Sequence, residues 1–198
     1  FIVTLATMNI ARGASYVYTD GKPIRVMSDS FNFIGSGYLF GVIPMPVIYM
    51  IIIIILASIL MNQTKLGRYM YAVGGNIEAA RFSGINTKKV QLIAYTISGF
   101  LAALSGIVLA SRMFSGQPTA GQGAEMDAIA AVVLGGTSMS GGRGRISGTV
   151  IGALIIGILS NGLNLMGVSS FWQYIVKGIV IIIAVYVDII KRKRSAEI

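Results

Sequence analysis

The run "VIYMIIIIILASILM", Val47 to Met61, sets the terms for everything else in this chain. From about Pro44 to Met61 there is no charged residue. At 1.5 Å per residue such a helix spans about 27 Å, enough for the hydrocarbon core of a bilayer. Further apolar segments lie at about 1–17, 90–110, 146–166 and 174–190. A shorter one, about 124–138, has its apolar heart between Ala124 and Leu134. Counted as spans these make six, and the expected fold is an all-α, polytopic helical membrane bundle. Only 12% of residues are charged, roughly half of what a soluble domain carries. The chain opens on "FIVTLATMNIARG", inside an apolar run, without Met, a basic n-region or a cleavage site. It reads as the C-terminal part of a longer polypeptide, 1–198 forming part of one transmembrane domain, and not as a signal peptide.

Charge gives an orientation. The formal net charge is +9, but the cations sit beside apolar runs and not on a soluble basic face, which excludes nucleic acid as a partner. With 62–89 on the cytoplasmic side, Lys65, Arg68, Arg81, Lys88 and Lys89 are inside. Arg143 and Arg145 follow, and then the tail "KRKR", Lys191 to Arg194. Those five, two and four make eleven of the 16 basic residues, as the positive-inside rule requires. This scheme needs the short fourth segment to cross. There is no Cys and no His, so thiolate metal sites, disulfides and the commonest general base are all missing. No metal site and no catalytic residue is expected.

Small residues recur four apart. Gly144, Gly148 and Gly152 form one series, and Gly99, Ala103 with Ala102, Gly106, Ala110 another. Such spacing lets helix backbones approach closely, which supplies contact where lipid offers no hydrophobic drive. Trp172 and Tyr174 stand where an interfacial aromatic belt is expected.

Between two apolar runs lies "GGNIEAARFSGI", Gly74 to Ile85, small, polar and charged. Asn76 suits an N-cap and Glu78 the first turn, where a carboxylate meets the positive helix end. Ala79 and Ala80 favour helix, and Gly84 suits the residue that ends it. The expected helix of about seven residues is too short to stand alone. It reads equally as an interfacial helix on the cytoplasmic leaflet or as a docking element for a cytoplasmic partner.

"EAARFSG", Glu78 to Gly84, resembles the EAA-x-x-x-G pattern of ABC importer permeases. The run "LGRYMYAVGGNIEAARFSGINTKKV" is similar to the ribose-type sugar permeases of bacterial ABC importers. So are "QPTAGQGAEMDAIAAVVLGGTSMSGGRGRISGT", "SNGLNLMGVSS" and "ARGASYVYTDGKPI". The resemblance covers essentially the whole chain. It implies a multi-pass permease subunit of the bacterial inner (cytoplasmic) membrane, acting as a dimer of permease copies. Its partners would be an ATP-binding subunit and a sugar-binding protein, and its substrate ribose or a similar monosaccharide. The EAA-like segment would be the coupling helix, with Asn76, Glu78, Ala79, Ala80, Arg81, Ser83 and Gly84 at the ATPase contact. The Ile-x-Leu-Pro that follows the glycine in other importers is absent after Gly84, which argues against those classes.

Other motifs carry less. "SMSGGRGR" looks like an ATPase signature, yet no Walker A pattern exists and the only Gly-Lys pair is followed by Pro23. The chain is therefore expected to be a transport subunit, not an enzyme, with no cofactor of its own. Glu125 and Asp127, beside Gln117 and Thr119, read equally as membrane-edge solvation or as an outer mouth that receives the sugar-binding protein. Asn161 and Asn164, one turn apart in an apolar helix, read as interhelical hydrogen bonds before they read as part of a sugar path. Arg12 reads as a snorkelling cation. A secondary sugar transporter not coupled to ATP is the alternative, and few charged residues within the spans support it.

Overall fold

The computed structural model describes residues 2–196, without the side chains of Ser170, Ile181, Ala184 and residues 187–196. Phe1, where the first apolar segment was expected to begin, lies outside the described residues, and so do the side chains of the basic tail Lys191 to Arg194.

The described chain is helical almost throughout. In order it forms α1 (Ile2–Thr19), β1 (Ile24–Arg25), α2 (Asp29–Ser36), β2 (Tyr38–Leu39), β3 (Ile43–Pro44), α3 (Met45–Gln63) and α4 (Lys65–Gly75). There follow α5 (Ile77–Phe82), α6 (Thr87–Arg112), β4 (Ser115–Gly116), α7 (Ala124–Leu134), α8 (Ile146–Leu165) and α9 (Ser170–Ala196). This is the make-up of a helical membrane protein. By length and composition α3, α6 and α8 are fit to cross a bilayer, with mean hydropathies of 2.4, 2.0 and 1.8. Their residues are hardly buried within the chain. In water that would be ruinous. In lipid an apolar side chain needs no protein cover, while the helix satisfies every backbone group internally.

Contacts fall into two units. One holds α1, β1, α2, β2, β3, α3 up to Ile53, α6 from Thr96, and β4. Within it β1 pairs antiparallel with β4, Ile24 opposite Gly116, and β2 with β3, Tyr38 opposite Pro44. These strands of two residues each were not expected. They satisfy backbone groups where the chain leaves helix, as a segment near a membrane must. Ser111 of α6 is fully buried against α2, where its hydroxyl accepts from Gly35 N–H at 2.6 Å.

The second unit holds the rest of α3, then α4, α5, the start of α6, and α7, α8 and α9. Its core is small: Ala130 and Ala131 of α7 against Ile156 of α8, with Leu134 and Val180 beside them. The glycine spacing explains this in part. A Cβ on Gly148 would strike Gly135 O, and one on Gly152 would strike Ala131 O, so α8 lies flush against α7. Gly144 precedes α8 and packs on Thr137 instead. The α6 series behaves differently from expectation. Neither Gly99 nor Gly106 has any atom within 4 Å of its Cβ position, so among the described residues no helix packs on that stripe.

With 11 residues α7 is about 16 Å long, roughly half of a bilayer core. The segment after it turns at once, because Gly136 has φ +80 and Gly135 N–H already bonds back to Ala131 O.

Candidate docking site

The cassette forms through local rules. Thr64 starts α4, its hydroxyl accepting from Gly67 N–H at 3.2 Å. At the far end Asn76 closes α4, donating its N–H to Ala72 O, and opens α5. Its Oδ1 accepts from Glu78 N–H and Ala79 N–H, both at 3.0 Å. Two amides that a helix start leaves bare are thus satisfied by one side chain.

The other end is equally defined. Gly84, at φ +81, follows the C-cap Ser83 and donates to Arg81 O, while Ile85 N–H reaches Ala80 O at 3.1 Å. That pair of bonds is the Schellman arrangement, which requires a left-handed residue where Gly84 stands. Ser83 Oγ also donates to Ala79 O. Asn86 Oδ1 then accepts from Lys89 N–H and launches α6. The helix α5 has six residues, one turn and a half, pinned at both ends.

What it presents is uneven. Ala80 is buried at 4% exposure, turned into its own chain. Its carbonyl accepts from Ile85 N–H in the Schellman turn. Phe82 is 88% exposed and Ile77 46%. Glu78, Ala79, Arg81, Ser83 and Gly84 are exposed as well. Among the described residues neither Glu78 nor Arg81 forms an ion pair.

Of the remaining candidates, Gln117 and Thr119 belong to the first unit, Glu125, Asp127, Asn161 and Asn164 to the second. Gln117 Nε2 donates to Ser115 Oγ at 3.2 Å, and Thr119 is exposed in a turn. Glu125 and Asp127 both fall in the first turn of α7. Asp127 Oδ2 takes a 2.8 Å bond from Lys177 Nζ of α9, a partly buried ion pair that ties the two helices. Sequence reasoning left Lys177 without a pairing. The signal was its position, since a cation inside an apolar helix needs a partner. Asn164 Oδ1 accepts from Gln173 Nε2 at 2.8 Å and so secures the turn between α8 and α9. Asn161 is exposed on α8. Arg12 is half-buried on α1.

Sequence reasoning also missed α4 and what it touches. Tyr71 Oη donates to Gly144 O at 2.9 Å, across 73 residues. Gly74 and Gly75, the last residues of α4, meet the backbone of Gly141 and Gly142. Two paired glycine doublets were the only trace of this contact in the sequence. An open cavity of about 440 Å³ adjoins it, lined in part by Tyr71, Arg143 and Arg145.

Residues 1–185 match the family described as branched-chain amino acid transport system / permease component. The chain is similar to the ribose import permease protein RbsC of Bacillus subtilis (strain 168), 56% identical over 198 residues. That alignment covers 99% of this chain and 60% of the relative. It is 54% identical to the ribose import permease protein RbsC of Escherichia coli (strain K12), over 95% of this chain and 60% of that one. The L-arabinose transport system permease protein AraH of the same strain is 43% identical, over 97% and 58%. The chain thus spans about 60% of the length of these relatives. No solved structure matches it significantly.

Proposed function

The chain belongs to the branched-chain amino acid transport system / permease component family, and from that premise we propose that it is part of the permease subunit of an ABC importer for ribose or a similar monosaccharide. It is a multi-pass protein of the cytoplasmic membrane. In this reading α5 is the coupling helix and docks on a separate ATP-binding subunit. A sugar-binding protein delivers the substrate from outside, and a second permease copy completes the path. Ribose is the favoured cargo because the ribose import permeases are 56% and 54% identical against 43% for the arabinose permease.

The observation that carries the reading is α5 itself. Its backbone is fixed by caps at both ends, yet Phe82 stands 88% exposed. A turn and a half of helix held this firmly, with its aromatic offered outward, is preorganised for a groove in a partner and costs little ordering entropy on docking. Glu78 and Arg81, which form no ion pair among the described residues, are available for charge-assisted bonds there.

The test uses the full-length permease co-expressed with its ATP-binding subunit. Phe82→Ala is expected to weaken co-purification by about tenfold or more, the scale of a central aromatic anchor, and Glu78→Lys or Gly84→Trp to abolish ribose uptake. Association and uptake that both survive all three changes would overturn the coupling role. Uptake that persists after ATP depletion, with a proton gradient intact, would point to secondary transport instead.

A further inference from the structure

Immediately before α5 the chain comes into backbone contact with a distant segment. A Cβ on Gly74 would stand 2.7 Å from Gly142 N, one on Gly141 2.5 Å from Gly74 O, and one on Gly142 2.6 Å from Gly75 Cα. Real Cβ atoms do not approach so closely, so the two backbones touch with no side chain between them. Gly141 and Gly142 reach this position through left-handed conformations, φ +85 and +73. Their loop is closed on itself by Ser138 N–H to Arg143 O at 2.9 Å and Gly141 N–H to Ser138 O at 3.1 Å. Tyr71, one turn back on α4, also holds this segment, donating to Gly144 O.

What lies beyond the contact makes it more than a packing detail. Three residues after Gly142, Arg145 opens α8. Gly148 and Gly152 then press α8 against Gly135 and Ala131 of α7 without intervening side chains. On the near side, Asn76 is bonded into both α4 and α5. The helix α5 therefore has three exits. Two are covalent, one through Asn76 and α4 back into α3 and one through Ile85 and Asn86 into α6. The third is non-covalent, through the glycine doublets into the α7–α8 pair.

We propose that Gly74–Gly75 and Gly141–Gly142 form a backbone clasp, positioned by Tyr71, that makes α5 and the α7–α8 pair move as one body. The proposal rests on the coupling role of α5. Backbone contact has no rotamers to absorb displacement, so a push on α5 reaches α8 undiminished, whereas a side-chain contact would yield. The clasp thus converts docking at α5 into movement of a bilayer-spanning helix that is remote in sequence.

The experiment measures ribose moved per ATP hydrolysed, with the full-length permease and its ATP-binding subunit in liposomes. Gly142→Val sets a branched side chain against Gly75, and Tyr71→Phe removes one hydrogen bond and nothing else. Gly142→Val is expected to lower the transport ratio about tenfold, within the usual range of coupling between sites. Tyr71→Phe is expected to lower it about threefold, the scale of one ordinary hydrogen bond. Co-purification of the ATP-binding subunit should stay unchanged in both. A merely structural role would reduce uptake and hydrolysis together and leave their ratio intact, and that result overturns the clasp. If Gly142→Val fails to accumulate, Tyr71→Phe decides alone: an unchanged ratio overturns the proposal. Failure of the coupling role reads differently, as association and uptake that both survive Phe82→Ala, Glu78→Lys and Gly84→Trp.

Discussion

Asn76 serves two helices with one residue. Its N–H ends α4 and its side chain starts α5, at φ −153 and ψ 107. Replacing it by Ala removes the acceptor for Glu78 and Ala79 N–H, and losing such a cap costs about 1 kcal/mol. A helix of six residues has few other bonds to share that loss. We expect amide exchange at Glu78 and Ala79 to quicken about fivefold in Asn76→Ala, and to change little in Asn76→Asp, which keeps the acceptor. Equal protection in both variants would mean that packing, not the cap, holds the turn. Both caps of α5 were legible in the sequence because capping is a local rule, written in residues two to five apart. Ala80 shows where local rules end. Its helix propensity was legible and its burial was not, since burial depends on what α5 packs against. The Lys177–Asp127 pair lay further out of reach, as its members are 50 residues apart.

Among elements, α7 and α8 show how a small core holds a membrane chain together. Gly152 is buried against α7, whereas Gly157, in the same helix, has no atom within 4 Å of its Cβ position. Leu at either site adds the same apolar bulk and helix propensity, so only the packing differs. Gly152→Leu is expected to lower the thermal stability of the detergent-solubilised permease sharply, since overfilling a tight contact costs roughly 1–3 kcal/mol or more. Gly157→Leu should leave it near the parent value. Similar losses at both sites would show that Gly157 meets a surface beyond the described residues. The spacing of Gly144, Gly148 and Gly152 announced a tight helix contact but not its partner, and Gly99 with Gly106 carried the same signal without one among the described residues. Spacing records that a backbone is bare, not what covers it. The helix α4 escaped notice for a related reason. In "KLGRYMYAVGG" the polar and apolar residues alternate at a helical period, but the two terminal glycines read as loop. Their role is contact with Gly141 and Gly142, which only the fold reveals.

At the scale of the whole molecule, the basic residues and the length of α7 pull against each other. Positive-inside bookkeeping sets 111–123 outside and Arg143 with Arg145 inside. A helix of about 16 Å covers only half of that distance. The residues ahead of α7 are held within their own unit: β4 pairs with β1, Phe114 O accepts from Val26 N–H, and Ser115 is buried. Whether α7 and the turn after it make the crossing is therefore a question of accessibility on each side. Because the sequence contains no Cys, the crossing is open to single-cysteine labelling in intact cells. Thr119→Cys is expected to react with a membrane-impermeant maleimide added outside. Met139→Cys, at the tip of the turn after α7, should react only once the membrane is opened, and Lys88→Cys should behave like it. If Met139→Cys labels from outside together with Thr119→Cys, then α7 returns to the side it left. Arg143 and Arg145 would then lie outside, and the clasp would sit on the face opposite any ATP-binding subunit. That one result would undo the orientation and the coupling route together, because both depend on Gly142 and Asn76 sharing the cytoplasmic side.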